Sequence, residues 1–349
     1  MVGTGLLDRV GELVHQREPH IMKLHVVSDS NVWPLYGDRL LACLTRAGFS
    51  STFSVVQAGE SSKSMTMAEN VAGDVARAGL SRSDGLVALG GGVVGDLTGF
   101  IASLLYRGMK YIGLPTSFLA QVDSGVGGKT GVNASFGKNM LGTFHQPALV
   151  VADATVLKTL PAPRLLDGLA EAIKTAAVAD AGLFASLQKT SLPITETEFV
   201  NISATCLKTK AMIVENDEKD LGQRMLLNYG HTLGHALEAA GDFLLLSHGE
   251  AVALGMRAFA SLGEKMRIST PGTAGAINGL LDRHGLPDRV VGLSLQTVLE
   301  FAGLDKKSSK GQFKVVFIKQ PGEGILLSLQ AEEYRRIIEE AFALVVDNG

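Results

Sequence analysis

The stretch that most constrains this chain is Gly90-Gly91-Gly92-Val93-Val94-Gly95-Asp96, which follows directly on the apolar run Gly85–Leu89. Gly90, Gly92 and Gly95 fit G-x-G-x-x-G, the spacing of a strand-to-helix turn where missing side chains let backbone N–H groups and a helix N-terminus approach a pyrophosphate. Any tight strand-to-helix turn can be glycine-rich, so by itself the motif leaves dinucleotide binding as one of two readings. It does impose a local topology: a buried strand, a bare turn, then a helix.

The rest of the first half alternates around that turn. Lys23–Ser28 reads as an apolar strand ending in the polar turn Asp29-Ser30-Asn31, and Ser51–Val56 as another. The loop Gly59-Glu60-Ser61-Ser62-Lys63 leads to a helix over Thr66–Ala78, and a helix near Leu97–Leu105 precedes the strand Lys110–Leu114. Strands and helices in short succession predict a Rossmann-like α/β domain with a parallel sheet. One feature departs from the ordinary dinucleotide-binding pattern. No Asp or Glu stands at the end of Lys110–Pro115, where a ribose-binding acid normally sits. Asp29 and Asn31, or Glu60 and Lys63, are the alternatives for ribose contact, against plain turn and cap chemistry.

Past Pro161-Ala162-Pro163 the periodicity becomes helical, over Arg164–Ala179, Glu198–Asn216, Leu226–Ala240 and Gly249–Lys265. A late hairpin is predicted where Lys314–Ile318 and Gly324–Leu329 flank Gln320-Pro321-Gly322-Glu323. The expected organisation is an α/β domain over 1–161 followed by a mainly α-helical domain over 162–349.

Composition narrows the function classes. A formal net charge of -3 supplies no field for nucleic acid. Cys43 and Cys206 cannot build a disulfide framework, which points to a reducing, cytoplasmic setting. The first twenty residues lack the apolar core of a signal peptide, and no run of apolar residues is long enough to span a membrane.

In the helical half, His231 and His235 stand four residues apart and share a helix face, with His248 close behind in Ser247-His248-Gly249-Glu250. Glu171, on the Ala-rich segment Gly168–Lys174, is the outside carboxylate that could complete a metal site. The alternative is a surface pair of Glu171 with Lys174 and histidines satisfied within the core. Asp123 to Thr130 resembles a phosphate-cradling loop but lacks Walker spacing. Lys129, Lys138, Asn139, Lys210, Arg224, Lys306 and Lys307 matter only if they converge, as a doubly anionic substrate would require.

Taken together, these motifs resemble the 3-dehydroquinate synthase family of sugar-phosphate cyclases. The likeness runs from about Asp29 to Lys307, through Gly59-Glu60-x-x-Lys63, Gly90 to Phe100, Arg107-Gly108, Pro115-Thr116, Asp123 to Lys129, Gly137-Lys138-Asn139, Glu171 to Lys174, Leu227 to Ala236, His248 to Glu250 and Asp305-Lys306-Lys307. It implies an N-terminal NAD-binding domain, a helical metal- and substrate-binding domain, and an active site in the cleft between them. NAD would be held by Asp29, Asn31, Glu60, Lys63, Gly91, Gly92, Val93, Asp96, Thr116 and Ser117, with Lys129, Lys138 and Asn139 beside it. Thr116-Ser117 stands where the family more often has two threonines. The metal, usually Zn²⁺ with Co²⁺ an alternative, would be held by Glu171, His231 and His248, which removes His235 from the ligand set.

By the same resemblance the catalytic set is Asp123, Lys129, Lys174, Lys210, Asn228 and His235. Substrate would be bound by Arg107, Lys129, Asn139, Arg224, Asn228 and the pair Lys306 and Lys307. Arg107 would reach the active site of the neighbouring subunit, so a homodimer is implied. The implied reaction converts 3-deoxy-D-arabino-heptulosonate 7-phosphate to 3-dehydroquinate and phosphate. The rivals are a secondary-metabolism cyclase making 2-deoxy-scyllo-inosose or a valiolone, a metal-dependent polyol dehydrogenase, and a non-catalytic protein on the same fold.

Overall fold

The computed structural model describes residues 1–303 and 312–347. It divides into two compact units, Met1–Leu165 with Thr195–Leu207, and Leu166–Ile194 with Lys208–Gly349. The first break lies just past the expected boundary at Pro161. The return of Thr195–Leu207 to the first unit is a departure from it. Contacts beyond the reach of helical periodicity hold that segment: Phe199 packs edge-on against Phe118, ring centroids 4.9 Å apart, and Glu196 pairs with Lys158.

The first unit is built on five parallel strands in the order Ser50–Val56, Lys23–Asp29, Gly85–Gly90, Lys110–Pro115 and Leu149–Val150. In chain order this is 2-1-3-4-5, so the strand order reverses between Lys23–Asp29 and Gly85–Gly90, the kind of switch point beyond whose carboxyl ends open α/β sheets bind ligands. Asp29 and Gly90 are the residues at those ends. Side chains alternate as the pleat demands. Leu24, Val26, Val87, Leu89, Ile112 and Leu114 pack with the helices Val10–Arg17 and Trp33–Arg46. Val27, Leu86, Ala88 and Tyr111 pack on the other face with Met65–Arg77 and Gly92–Leu104. Every residue of Gly85–Gly90 is buried, as a central parallel strand covered on both faces should be.

The helix after the glycine turn begins at Gly92 rather than near Leu97. Glycine and valine are weak helix formers, and here packing of Val94 and Leu97 into the core decides the matter. An antiparallel hairpin, Lys129–Ala134 with Gly137–Phe144, was not evident from periodicity. Its glycines are needed where strand meets strand: a Cβ at Gly142 would lie 2.4 Å from the Thr130 carbonyl oxygen.

The second unit centres on the helix Ala162–Ala179, buried at every position from Asp167 to Val178, so it is a core helix and not a surface one. The helix expected over Leu226–Ala240 is broken into a 3-10 turn, Gln223–Asn228, and a helix, His231–Ala240. Gly230 makes the break at φ +79°, with no room for a side chain beside Val252 of the helix His248–Lys265. The late hairpin is present as Gln312–Gln320 paired with Glu323–Gln330. Among the described residues, no helix is long and apolar enough to cross a membrane.

Candidate functional site

Three side chains of the second unit meet because of how two helices start. Gly230 ends the 3-10 turn and makes His231 the first residue of its helix. Ser247 caps the next helix, in a reciprocal box with Glu250, and makes His248 the first residue there. That second N-terminus abuts the central helix: Gly249 N–H donates to Asp167 Oδ1 at 2.9 Å, and a Cβ on Gly249 would lie 2.4 Å from Asp167 Cα. Glu171 is four residues on from Asp167 and so shares its helix face. Its Oε1 lies 3.1 Å from His248 Nε2 and 3.3 Å from His231 Nε2.

The far sides of both imidazoles are engaged. His231 Nδ1 lies 3.2 Å from the Tyr229 carbonyl oxygen, and His248 Nδ1 lies 3.1 Å from Glu238 Oε2. Nδ1–H donation to these oxygens leaves each Nε2 lone pair for the point that Glu171 faces, the arrangement by which metal-ligating histidines are oriented. One ligand atom from each of the three residues lies within 4.8 Å of the others. Glu171 Oε2 is buried and accepts no hydrogen bond among the described residues, although Lys174 Nζ stands 2.6 Å away, off the hydrogen-bonding direction. Glu171 and Lys174 are each only 1% exposed, which overturns the surface-pair alternative. A buried carboxylate whose Oε1 faces two oriented imidazoles while Lys174 balances Oε2 fits a divalent cation held by three protein ligands with further positions open.

The electrostatics agree. Burial alone would raise the Glu171 pKa, but Lys174, His231 and the hydrogen bonds of both histidines hold it well below the usual carboxylate range. Burial likewise opposes a charge on His248; Glu171 and Glu238 together outweigh it and push the group up to about 10. The two carboxylates thus make the surroundings of His248 negative, which suits a cation in place of that proton. His235 lies beside these rings, 5.0 Å from His231 and 5.9 Å from His248 between centroids, but is exposed and falls outside the Glu171 group. Partial enclosure, then the charges of His231 and His248, lower it to about 4. It groups instead with Glu238 and His248.

Lys174, Lys210 and Arg224 are buried, and Asn228 is exposed at the end of its 3-10 turn. Arg224 is held by its loop: Nη1 donates to the Glu218 carbonyl at 2.5 Å, and its backbone N–H to Asp217 Oδ2 at 3.0 Å. The Asp217 carboxylate also gathers the N–H groups of Leu221 and Gly222. Lys306 and Lys307 lie outside the described residues.

In the first unit the glycine turn stands at the carboxyl end of the middle strand and borders an open cleft of about 420 Å³, also lined by Asp96 and Lys129. A Cβ on Gly91 would come within 3.3 Å of Ser117 Oγ, and one on Gly92 within 3.1 Å of Ser124 Oγ. Thr116 N–H donates to the Gly90 carbonyl at 2.9 Å and holds the neighbouring strand end against the turn. Val93 is half-buried in the first turn of the helix. These bare N–H groups at a helix start form a cradle that side chains would fill, and it fits a pyrophosphate.

Around the cradle, Asp29 Oδ1 accepts from the N–H groups of Asn31 and Val32, so the turn-and-cap chemistry is present at that strand end. Buried Lys63 reaches Asp96 Oδ2 at 2.6 Å and Asn139 Oδ1 at 2.5 Å. Glu60 Oε1 accepts from Asn133. Asp123 belongs to a π-turn, Ala120–Ser124, closed by Gly125 N–H on the Ala120 carbonyl; such turns recur at functional sites. Lys129, Lys138 and Asn139 are exposed on the hairpin, and Arg107 is exposed with a left-handed backbone, φ +63°.

Sequence reasoning missed Glu238, Asp167, Asp217 and Asn133. Only Glu238 carried a signal, being seven residues from His231 and three from His235 on one helix face.

The chain matches known proteins over nearly its whole length. Residues 53–167 match the model described as 3-dehydroquinate synthase N-terminal, and residues 168–308 the one described as 3-dehydroquinate synthase C-terminal. It is 40% identical over 341 residues to a 3-dehydroquinate synthase of Enterococcus faecalis, covering 97% of this chain and 94% of that one. It is 41% identical to the same enzyme of Rhodospirillum rubrum, covering 93% and 87%. Among solved structures, 2-epi-5-epi-valiolone synthase from Streptomyces hygroscopicus, with NAD⁺ and Zn²⁺ bound, superposes with a TM-score of 0.86 at 27% identity, covering 98% and 95%. A 2-deoxy-scyllo-inosose synthase superposes at 0.87 with 23% identity, covering 97% and 95%. The chain belongs to the 3-dehydroquinate synthase family.

Proposed function

We propose that this chain converts 3-deoxy-D-arabino-heptulosonate 7-phosphate to 3-dehydroquinate and phosphate, with NAD⁺ and a divalent cation, Zn²⁺ or Co²⁺, as resident groups. The observation that carries the reading is the convergence of Glu171, His231 and His248 with both Nδ1 atoms engaged, in a chain of this family. Bound NAD supplies a transient oxidation that is later reversed, and the cation supplies Lewis acidity at the oxygen being oxidised.

The protein's own residues bind, orient and handle protons. The Gly90–Asp96 turn receives the pyrophosphate, with Asp29, Asn31, Glu60, Lys63, Thr116, Ser117 and Lys138 contributing to NAD. Lys129, Asn139, Asn228 and the pair Lys306 and Lys307 bind the substrate phosphate, and Arg224 binds the carboxylate. Asp123, Lys174 and Lys210 address the ring hydroxyls. His235, exposed beside His231 and His248, is placed to relay a proton. Positioned cations lower the cost of gathering a doubly charged substrate, and fixed geometry holds the two ends of the opened chain in the orientation that closes the ring.

Arg107 completes the site of a second subunit in a homodimer. Its exposed, left-handed backbone position supports this, as do the neighbouring exposed side chains Leu104 and Tyr106 and, on the adjoining hairpin, Met140 and Phe144. A chain with only two cysteines, both buried, suits a cytoplasmic enzyme. The buried, loop-anchored Arg224 favours an acid-bearing substrate over those of the secondary-metabolism cyclases.

The test is incubation of the purified protein with the heptulosonate phosphate, catalytic NAD⁺ and Zn²⁺ or Co²⁺. Stoichiometric phosphate release without lasting NADH absorbance is the expected result. Steady accumulation of NADH would instead assign a polyol dehydrogenase.

A further inference from the structure

Asn133, in the strand Lys129–Ala134, ties together two groups that the functional reading treats as separate. Its Nδ2 donates to Glu60 Oε1 at 2.8 Å, while its Oδ1 accepts from the Asn139 N–H at 2.9 Å. Its own N–H donates to the Lys63 carbonyl at 2.8 Å, and it forms a parallel bridge with Ser64. One carboxamide thus spans the loop carrying Glu60 and Lys63 and the turn carrying Asn139.

Asn139 needs such support. Its backbone is left-handed, φ +57°, a conformation that costs a residue with a side chain. Asn133 holds its backbone and Lys63 Nζ holds its Oδ1. With Oδ1 engaged by an ammonium, Asn139 has its Nδ2 donors to offer, the polarity a phosphate oxygen requires. Glu60 gives one oxygen to Asn133 and keeps acceptor capacity for a ribose hydroxyl.

We propose that Asn133 is a positioning residue that couples the nucleotide side of the site to the phosphate side: ordering of Glu60 by NAD orders Asn139 for substrate, and the reverse. This rests on the reading above, in which Glu60 faces NAD and Asn139 the substrate phosphate. Reciprocity then requires that phosphate tighten NAD by the same factor as NAD tightens phosphate.

The experiment uses the full-length enzyme with two variants, NAD titration by calorimetry, and steady-state kinetics at saturating NAD. Asn133→Ala removes both arms. The NAD Kd should rise about tenfold, the scale of one lost hydrogen bond to a charged group. The substrate KM should rise too, with kcat changed less. Asn133→Asp keeps an acceptor for the Asn139 N–H but sets a carboxylate against Glu60. It should weaken NAD at least as much, hold the substrate KM at saturating NAD within about twofold of wild type, and abolish the tightening of NAD by inorganic phosphate that calorimetry of the wild type should show, which a merely structural role does not predict. Equal tightening of NAD by inorganic phosphate in wild type and Asn133→Asp, or no tightening in wild type, overturns the coupling, as does unchanged NAD and substrate binding in Asn133→Ala. If Asn133→Ala fails to fold, Asn133→Asp decides alone. A wild-type protein that binds no NAD or releases no phosphate refutes the functional reading itself, a distinguishable outcome.

Discussion

Replacing Gly230 by alanine attacks the proposed metal trio of Glu171, His231 and His248 through the backbone, and its cost has two separable parts. Gly230 sits at φ +79°, a left-handed conformation that costs an L-residue about 1–2 kcal/mol. A Cβ there would also lie 2.7 Å from the Val252 carbonyl oxygen and 3.0 Å from the Met256 nitrogen. Both are backbone atoms of the helix His248–Lys265 and cannot rotate aside. Overpacking of this kind costs about 1–3 kcal/mol, so Gly230→Ala should lose about 2–5 kcal/mol in all. Gly272 isolates the first part, because it has φ +90° and nothing within 4 Å of its Cβ position. Gly272→Ala should lose only about 1–2 kcal/mol. The two must also differ in metal affinity. Gly230→Ala pushes on the helix that begins at His248 and displaces the adjacent His231, whereas Gly272→Ala touches neither ligand. Stability is best followed by far-UV circular dichroism in urea, since the single tryptophan, Trp33, lies in the first unit. Metal content after dialysis supplies the second readout. Equal stability of the two variants, or a destabilised Gly230→Ala with its full metal content, would refute the close-crossing argument.

Three further outcomes are expected. Glu238→Gln should lower metal affinity about 10- to 100-fold by loosening His248, measured by chelator competition, while His248→Ala should lose metal and turnover together. Arg224→Ala should raise the substrate KM by about a hundredfold and leave the NAD Kd within about twofold, because a buried charged anchor is lost on one ligand only. His25 is buried, which lowers its pKa to about 4 despite Asp74, and both ring nitrogens are hydrogen-bonded, to Thr52 and Ser54. The unfolded chain takes up that proton near pH 6.5, so the stability His25 contributes is complete above 6.5. It declines as pH falls toward 4, by at most about 3 kcal/mol. Trp33 fluorescence in urea should show the wild type losing more stability than His25→Gln between those limits; parallel losses in the two proteins would exclude the mechanism.

What could be read from the chain, and what could not, follows from the range of each interaction. Gly85–Leu89 announced a central strand because a strand covered on both faces has to be an unbroken apolar run, and the turn after it has to be bare. The histidine site was only half legible. Periodicity reports which side chains share a helix face, and for His231 and His235 that suggested a shared ligand pair completed by His248 and Glu171, until the family resemblance removed His235 from the set. What puts Glu171 opposite His231 and His248 is the closeness of three backbones, set by Gly230 against Val252 and Gly249 against Asp167. A glycine in a sequence does not say what approaches it. The same holds for Asn133, whose partner Glu60 lies 73 positions away. Its amide looks like any polar residue near a turn, and its importance exists only once the hairpin has folded back over the loop. Residues that act on a ligand directly must be chemically conspicuous, such as acids, imidazoles and lysines. Those that hold them carry no such mark in context, since Asp167 and Asp217 look like any helix or turn acid and Asn133 like any turn amide, so the supporting set is the part of such a site that has to be found in three dimensions.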